Sequence, residues 1–231
     1  PANSVVLQVV AGGVLVCTVL RLLGCTLRSA VGNHHQRARH RTLLCLVGRP
    51  DTVLGAHIVI DPAAIVYCLP GHGGRVVFTS GAVDKLSPAQ RAAVLAHERA
   101  HLRGRHHLLI ASASVLSRSF PRVTLFSKAF EQTTRLVEMR ADDLASRGHG
   151  RRPVAEALLA LTDMASSPVV LAASAVTTAD RIVRLLADPP PRPASRVART
   201  HRAVGGALAA SVLAGSPMIL ATAGHAVLCL L

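Results

Sequence analysis

Residues 87–101 read SPAQRAAVLAHERAH, and this stretch decides how the rest of the sequence is interpreted. Ser87 is a natural helix N-cap and Gln90 completes a capping box, so the pattern predicts a helix that begins here. Within that helix, His97 and His101 lie one turn apart on the same face, because an α-helix has about 3.6 residues per turn. Two imidazoles at this spacing can share one zinc ion.

Glu98 projects beside the two histidines. A carboxylate in that place can take a proton from a water that the metal activates. The alternative is an ordinary surface helix that carries two histidines by coincidence. The chain has 12 histidines but only four glutamates, so chance produces an H-E-x-x-H pentapeptide in about one comparable sequence in a hundred. We therefore expect a catalytic zinc site on this helix.

A catalytic zinc site of this kind needs a third protein ligand. Residues 138–145 read EMRADDLA, which is helical in composition. Glu138 and Asp142 share one face of that helix, so Glu138 can ligate the metal while Asp142 accepts a hydrogen bond from a ligand histidine and fixes its tautomer. The alternative is an ordinary acidic helix face that pairs with Arg135 and Arg140.

These motifs, in this order, resemble a membrane-associated gluzincin metallopeptidase. The resemblance rests on VVFTSG at residues 76–81, LSPAQ at 86–90, the H-E-x-x-H helix that ends in Arg105-His106, and E-x-x-A-D-x-x-A. It extends over roughly residues 55 to 187 and is closest to the M56 (BlaR1-type) family. The related M48 (HtpX/Ste24-like) family shares the strand, the helix and the second glutamate motif. The M56 pattern often has a Cys-Asp pair where this chain has Ala141-Asp142, which favours M48.

The resemblance implies an α+β fold. The fold is mainly helical, a gluzincin-like zinc protease domain with a small β-sheet, flanked by transmembrane helices. The resemblance also implies one Zn²⁺ per chain, held by His97, His101 and Glu138. Glu98 would be the catalytic base, and Asp142 would hydrogen-bond a ligand histidine.

The implied activity is that of a membrane-anchored zinc-dependent endopeptidase, which hydrolyses peptide bonds through a zinc-activated water. The implied partner is a protein or peptide substrate, such as a cytoplasmic transcriptional repressor cleaved in signalling. One alternative is a quality-control protease for membrane proteins, like the M48 enzymes. Another is a non-catalytic membrane scaffold whose zinc only stabilises the fold.

Composition indicates a membrane protein. Half of the 231 residues are hydrophobic, and the mean hydropathy is +0.41. Residues 1–27 and 203–231 are apolar and each long enough to cross a bilayer as a helix. A signal peptide is the alternative for the first, but its charges follow the apolar run instead of preceding it. Between the two spans we predict a basic juxtamembrane segment at 28–54, the zinc metallopeptidase domain at 55–188 and a Pro/Arg-rich linker at 189–202.

The charge predicts the orientation. The net charge is +14, and many arginines flank the predicted spans. Because positive residues stay on the cytoplasmic side, we expect a multi-pass protein of the cell membrane whose catalytic domain faces the cytoplasm. The arginines can also contact anionic lipid headgroups. No direct nucleic-acid partner is expected, because the chain has no Trp and only one Tyr to stack on bases.

The five cysteines are scattered and include no C-x-x-C pair. This pattern predicts free thiols that neither ligate zinc nor form a disulfide framework.

Short strands are predicted at 57–60, 65–69 and 75–79. The last one directly precedes the zinc helix, so we expect it to be the edge strand that holds an extended substrate, with an internal strand as the alternative.

Further elements follow the zinc helix. Residues 106–130 suit a re-entrant or membrane-surface helical hairpin, and helices are predicted at 130–146, 151–166 and 178–186. The sequence leaves open which residue stabilises the oxyanion of the reaction; the candidates are nearby arginines and four other residues, Tyr67, His106, His107 and His149.

Overall fold

The computed structural model describes three stretches of the chain, residues 2–71, 73–162 and 178–187. All of them belong to one compact unit, Pro1–Ala187. The predicted linker at 189–202 and the predicted span at 203–231 lie outside the described residues.

Most of the described residues are helical. The elements follow the order α1 (Ala2–Val47), β1 (Arg49–Asp51), β2 (Ala56–Val59), β3 (Val66–Leu69), β4 (Arg75–Thr79), α2 (Ser80–Lys85), α3 (Pro88–Arg103), α4 (His106–Ser119), α5 (Thr124–His149) and α6 (Arg151–Thr162). Residues 178–186 are also helical. The mainly helical fold with a small sheet is as predicted, although β1 and α2 were not foreseen.

The four strands form an open sheet in the order β1-β2-β4-β3. β4 pairs in parallel with β2 and antiparallel with β3. The prediction that β4 is the edge strand was therefore wrong. Val77 and Phe78 of β4 are fully buried, as expected for a continuous apolar run that is covered on both faces. The edge strand beside α3 is β3.

The core brings the two motif helices together. Phe78, Leu86 and Leu95 belong to a cluster between the sheet, α3 and α6. α3 packs on α5, and four of the buried residues on these two helices are alanines, namely Ala93, Ala100, Ala141 and Ala145. Small side chains let the two helices approach closely, so polar side chains next to them on each helix can meet.

α1 is long and apolar. Its 46 residues span about 69 Å at 1.5 Å per residue, more than twice the thickness of a bilayer core. Ser4–Leu44 contains a window apolar enough to cross a membrane, and none of that window is buried inside the protein. The helix does not end at residue 27 but continues through most of the predicted juxtamembrane segment.

α4 and α5 form a helical hairpin, and α4 packs along α1. A groove between α1 and the end of α4 is lined by residues that include Val10, Val14, Ser119 and Phe120. The turn between α4 and α5 therefore lies beside the apolar half of α1.

Candidate metal centre

The helix that carries the H-E-x-x-H motif begins as the sequence predicts. The Ser87 hydroxyl accepts a hydrogen bond from the Gln90 amide at 3.3 Å, and the Gln90 side-chain oxygen accepts one from the Ser87 amide at 2.9 Å. This reciprocal capping satisfies two amides that the first turn would otherwise leave unpaired. The capped start fixes the helical phase that places His97 and His101 on one face.

Three side chains converge at one point between α3 and α5. The Nε2 atoms of His97 and His101 are 3.1 Å apart. The Glu138 carboxylate lies 3.5 Å from His97 Nε2 through Oε2 and 3.4 Å from His101 Nε2 through Oε1. One donor atom from each residue falls within a 4.8 Å span.

This donor set fits zinc. Two imidazole nitrogens and one carboxylate oxygen are a usual ligand set of catalytic zinc, which leaves a fourth position for water or substrate. The Glu138 side chain is 29% exposed, whereas the His97 side chain is 11% exposed. The cluster is therefore more buried at His97 and more open to solvent beside Glu138.

Asp142 lies behind His97. Its Oδ1 is 3.0 Å from His97 Nδ1, and the carboxylate has no exposure to solvent. The two atoms are close, but their geometry is not that of a hydrogen bond. Because Nδ1 faces Asp142, the Nε2 atom of the same ring is left to face the cluster. The predicted neighbourhood of Asp142 and His97 is therefore present as a close ion-pair contact, and a carboxylate in this place can orient a ligand histidine.

Arg181 completes the arrangement from the 178–186 helix. Its guanidinium donates two hydrogen bonds of 2.8 Å to Asp142, from Nε to Oδ2 and from Nη2 to Oδ1. Its Nη1 lies 3.1 Å from Glu138 Oε2. A planar guanidinium matches a carboxylate in this two-pronged way. Arg181 thus holds both acidic residues of the α5 motif.

The alternative pairing of the α5 acids with Arg135 and Arg140 is not what the structure shows. Arg135 instead lies 3.3 Å from Asp180 at the surface. Sequence reasoning missed Arg181, because it is 39 residues from Asp142 and no local spacing connects them. The only signal for Arg181 in the sequence was a weak one, the Asp180-Arg181 pair on the short helix predicted at 178–186.

The electrostatics follow from these contacts. Burial disfavours a charged His97, but the close contacts with the Asp142 and Glu138 carboxylates outweigh burial and raise its pKa to about 9. Burial likewise opposes the ionised carboxylates, yet the histidines and Arg181 lower the pKa of Glu138. Arg181 and His97 lower the pKa of Asp142. Both acids are therefore negatively charged at neutral pH, which favours a cation between them.

Glu98 lines a cavity of about 180 Å³ together with His97, Glu138 and Arg181. The other walls are apolar and include Val154, Leu158 and Leu161 of α6. A carboxylate at the polar floor of an apolar cavity is suitably placed for proton transfer.

Cys68 of β3 interacts with the Glu98 carboxylate. Burial raises the pKa of the Cys68 thiol to about 12, and the negative charge of Glu98 acts in the same direction. The thiol is therefore neutral and free, so it differs from a metal-ligating thiolate. This contact also shows that the β3 edge strand passes next to Glu98.

Two of the candidate oxyanion residues point elsewhere. Tyr67 packs against the cluster of Leu44, Leu69 and Val77, on the face of β3 opposite Cys68. His106 is buried beside His101, where its Nδ1 lies 3.0 Å from His101 Nδ1.

Comparison with models of protein families matches residues 48–202 to Peptidase family M48. The chain belongs to family M48. Membership implies a membrane-associated zinc metallopeptidase, in agreement with the long apolar helix and the donor cluster. The M48 part of the predicted resemblance is therefore confirmed, and the M56 (BlaR1-type) part is not. Comparisons with curated proteins and with solved structures gave no match.

The matched region of this M48 member contains all of the predicted site residues. It begins at the sheet and includes α3, α5 and the 178–186 helix.

Proposed function

We propose that this M48 family member is a membrane-anchored zinc endopeptidase. His97, His101 and Glu138 hold one zinc ion, and Glu98 is the general base. The observation that carries the proposal is the convergence of the three donor atoms within 4.8 Å, with Glu98 on the wall of the same cavity. A scaffold that used zinc only for folding would have no need of a carboxylate beside its ligands.

Each residue of the site has a separate role in the proposed reaction. When bound, zinc supplies Lewis acidity that polarises the scissile carbonyl and makes a water a better nucleophile. Glu98 accepts the proton that the attacking water loses and passes it to the departing amine. Asp142 keeps the Nδ1 atom of His97 turned away from the cluster, so that Nε2 remains available.

The edge strand supports a peptide as substrate. β3 pairs with β4 along one edge, and its Cys68 lies beside Glu98. An extended peptide that adds to the other edge of β3 would pass the base in the orientation that backbone hydrogen bonds impose. The apolar wall formed by α6 suits an apolar side chain next to the scissile bond.

Substrate location follows from α1 and the α4–α5 hairpin. Because α4 packs along α1, the hairpin turn reaches the level of the apolar part of α1, and the second helix of the hairpin, α5, carries Glu138. We propose that the protein acts on membrane proteins or on their juxtamembrane segments, in a quality-control role. No observation on the described residues favours a transcriptional repressor. The proposed orientation toward the cytoplasm rests on the arginines that flank the predicted spans.

The test combines metal analysis with two variants of the purified full chain. We expect about one zinc per chain in the wild type and in Glu98→Gln, and none in His101→Ala. Cleavage of casein should be lost in both variants. Glu131→Gln is the matched control on an exposed helix position of α5 and should keep both zinc and activity.

Two results would overturn the proposal. A wild type that binds no zinc after gentle extraction would make the helix pair a scaffold. A Glu98→Gln variant that cleaves casein at the wild-type rate would remove Glu98 from its proposed role.

A further inference from the structure

His106 is the first residue of α4, and it is 5% exposed. Its ring lies against the His101 ring, with centroids 4.8 Å apart and planes nearly perpendicular at 86°. The Nδ1 atoms of the two rings are 3.0 Å apart. We propose that His106 is a positioning residue, which accepts a hydrogen bond from His101 Nδ1–H and thereby fixes the tautomer that presents His101 Nε2 to the metal.

The direction of this hydrogen bond follows from the cluster. The Nε2 atom of His101 faces His97 at 3.1 Å and Glu138 at 3.4 Å, so Nε2 is the atom that would bind zinc. A neutral imidazole that uses the Nε2 lone pair for a metal carries its proton on Nδ1. His101 Nδ1 must then donate, and His106 Nδ1 is the acceptor within reach.

The backbone before His106 adopts an unusual conformation. Arg105 has φ 48° and ψ 38°, and it is the one non-glycine residue with positive φ in the described part of the chain. Residues with a Cβ rarely adopt this left-handed region. The left-handed Arg105 makes a tight turn between the end of α3 and the start of α4. The turn places His106 next to His101, which lies in the last turn of α3.

Gly104 provides the space for the His106 ring. A Cβ at Gly104 would lie 2.4 Å from His106 Nε2, which is closer than any unstrained contact. By contrast, Gly148 on α5 has nothing within 4 Å of such a Cβ. The left-handed conformation of Arg105 and the glycine at position 104 are both explained if the His106 ring has to occupy this position.

The two ligand histidines then have one partner each. His97 has the Asp142 carboxylate, and His101 has the ring of His106. Partners of this kind fix the orientation of a ligand ring, and their removal costs metal affinity without removing a ligand.

The test measures zinc affinity by competition with a chelator, using the full chain. This inference rests on the proposed function, because it assumes that the cluster binds zinc. His106→Leu removes the acceptor and should raise the zinc dissociation constant about 10- to 100-fold. His106→Asn keeps an acceptor at the Nδ1 position and should restore affinity to within about threefold of the wild type. The matched control is His107→Leu, on the adjacent half-buried histidine, which should leave affinity unchanged.

Two further measurements separate positioning from folding. Long-range ¹H–¹⁵N spectra of the metal-free protein should show His101 protonated on Nδ1 in the wild type and in His106→Asn, and a mixture of tautomers in His106→Leu. Gly104→Ala should weaken zinc binding by displacing the His106 ring, whereas Gly148→Ala should not. Circular dichroism checks that each variant is folded.

The outcomes separate the positioning role of His106 from zinc binding itself. If the wild type binds zinc and His106→Leu binds it equally well, the positioning role is wrong and the proposed function stands. If His106→Leu weakens binding and His106→Asn does not restore it, the ring acts through packing and the hydrogen-bond role is wrong. If the wild type binds no zinc, the proposed function itself fails.

Discussion

Asp142 and Arg181 are 39 residues apart in the sequence and are joined by two hydrogen bonds of 2.8 Å each. The Asp142 side chain has no exposure, and the Arg181 side chain is 12% exposed. The same guanidinium lies 3.1 Å from Glu138. One arginine therefore stabilises both the proposed metal ligand of α5 and the carboxylate that orients His97.

Replacement of Arg181 by Leu should strongly destabilise the protein. The change leaves the Asp142 charge buried without its main partner, and breaking a buried pair in this way costs about 3–5 kcal/mol. Arg184→Leu is the matched control, because Arg184 pairs with Asp143 where both side chains are more than one third exposed. That pair should be worth less than about 1 kcal/mol. Urea unfolding of the metal-free protein in detergent measures the free energy of unfolding of both variants. Equal losses of free energy in the two variants would argue against the role given to Arg181.

Asp142→Asn should weaken zinc binding while all three proposed ligands remain. The amide can still face His97 Nδ1 but lacks the charge that favours the required orientation, so we expect a loss of about 10- to 100-fold in affinity. Chelator competition measures the loss. Asp143→Asn changes the neighbouring, more exposed carboxylate and should have no effect. An Asp142→Asn variant with wild-type affinity would reduce Asp142 to a structural residue.

Zinc should stabilise the protein more at high pH than at neutral pH. In the metal-free protein the pKa of His97 is raised from 6.5 to about 9, because the contacts with Asp142 and Glu138 outweigh burial. The folded-state value lies above the unfolded one, so this contribution to stability is complete below pH 6.5 and is lost as the pH rises to about 9. Zinc requires the neutral imidazole, so its binding strengthens over the same interval.

The measurement is the melting temperature with and without zinc, at a constant free concentration set by a chelator. We expect zinc to raise the melting temperature more at pH 9 than at pH 7. In His101→Ala, zinc should not raise it at either pH. A larger increase at pH 7 would contradict the assignment of His97 as a ligand.

Cys68 should react slowly with thiol reagents in the folded protein. With a pKa of about 12, only about one thiol in ten thousand is ionised at pH 8, and the thiolate is the reactive form. Mass spectrometry of the peptide that contains Cys68, after timed exposure to iodoacetamide, measures the rate. Unfolding in urea should increase it greatly, and Glu98→Gln should increase it modestly by removing a nearby charge. A folded protein labelled as fast as the unfolded one would contradict the buried contact with Glu98.

The sequence by itself determined the features that depend on local geometry. The capping box at Ser87 sets the start of α3, and helical periodicity then places His97 and His101 on one face. The same periodicity places Glu138 and Asp142 together on α5. These relations extend over four residues or fewer, so backbone hydrogen bonding alone decides them. The apolar character of α1 is also local, because length and composition are enough to predict it.

The tertiary structure alone decided how these pieces meet. Buried alanines let α3 and α5 approach, and this approach brings Glu138 to the two histidines. Strand pairing made β3 the edge strand and placed β4 inside, since the order of strands depends on contacts between distant segments. Arg181 reached Asp142 for the same reason, as a long-range contact that packing of the 178–186 helix creates. Local patterns specify which face of a helix is polar, but only the packing of the whole domain decides what that face contacts.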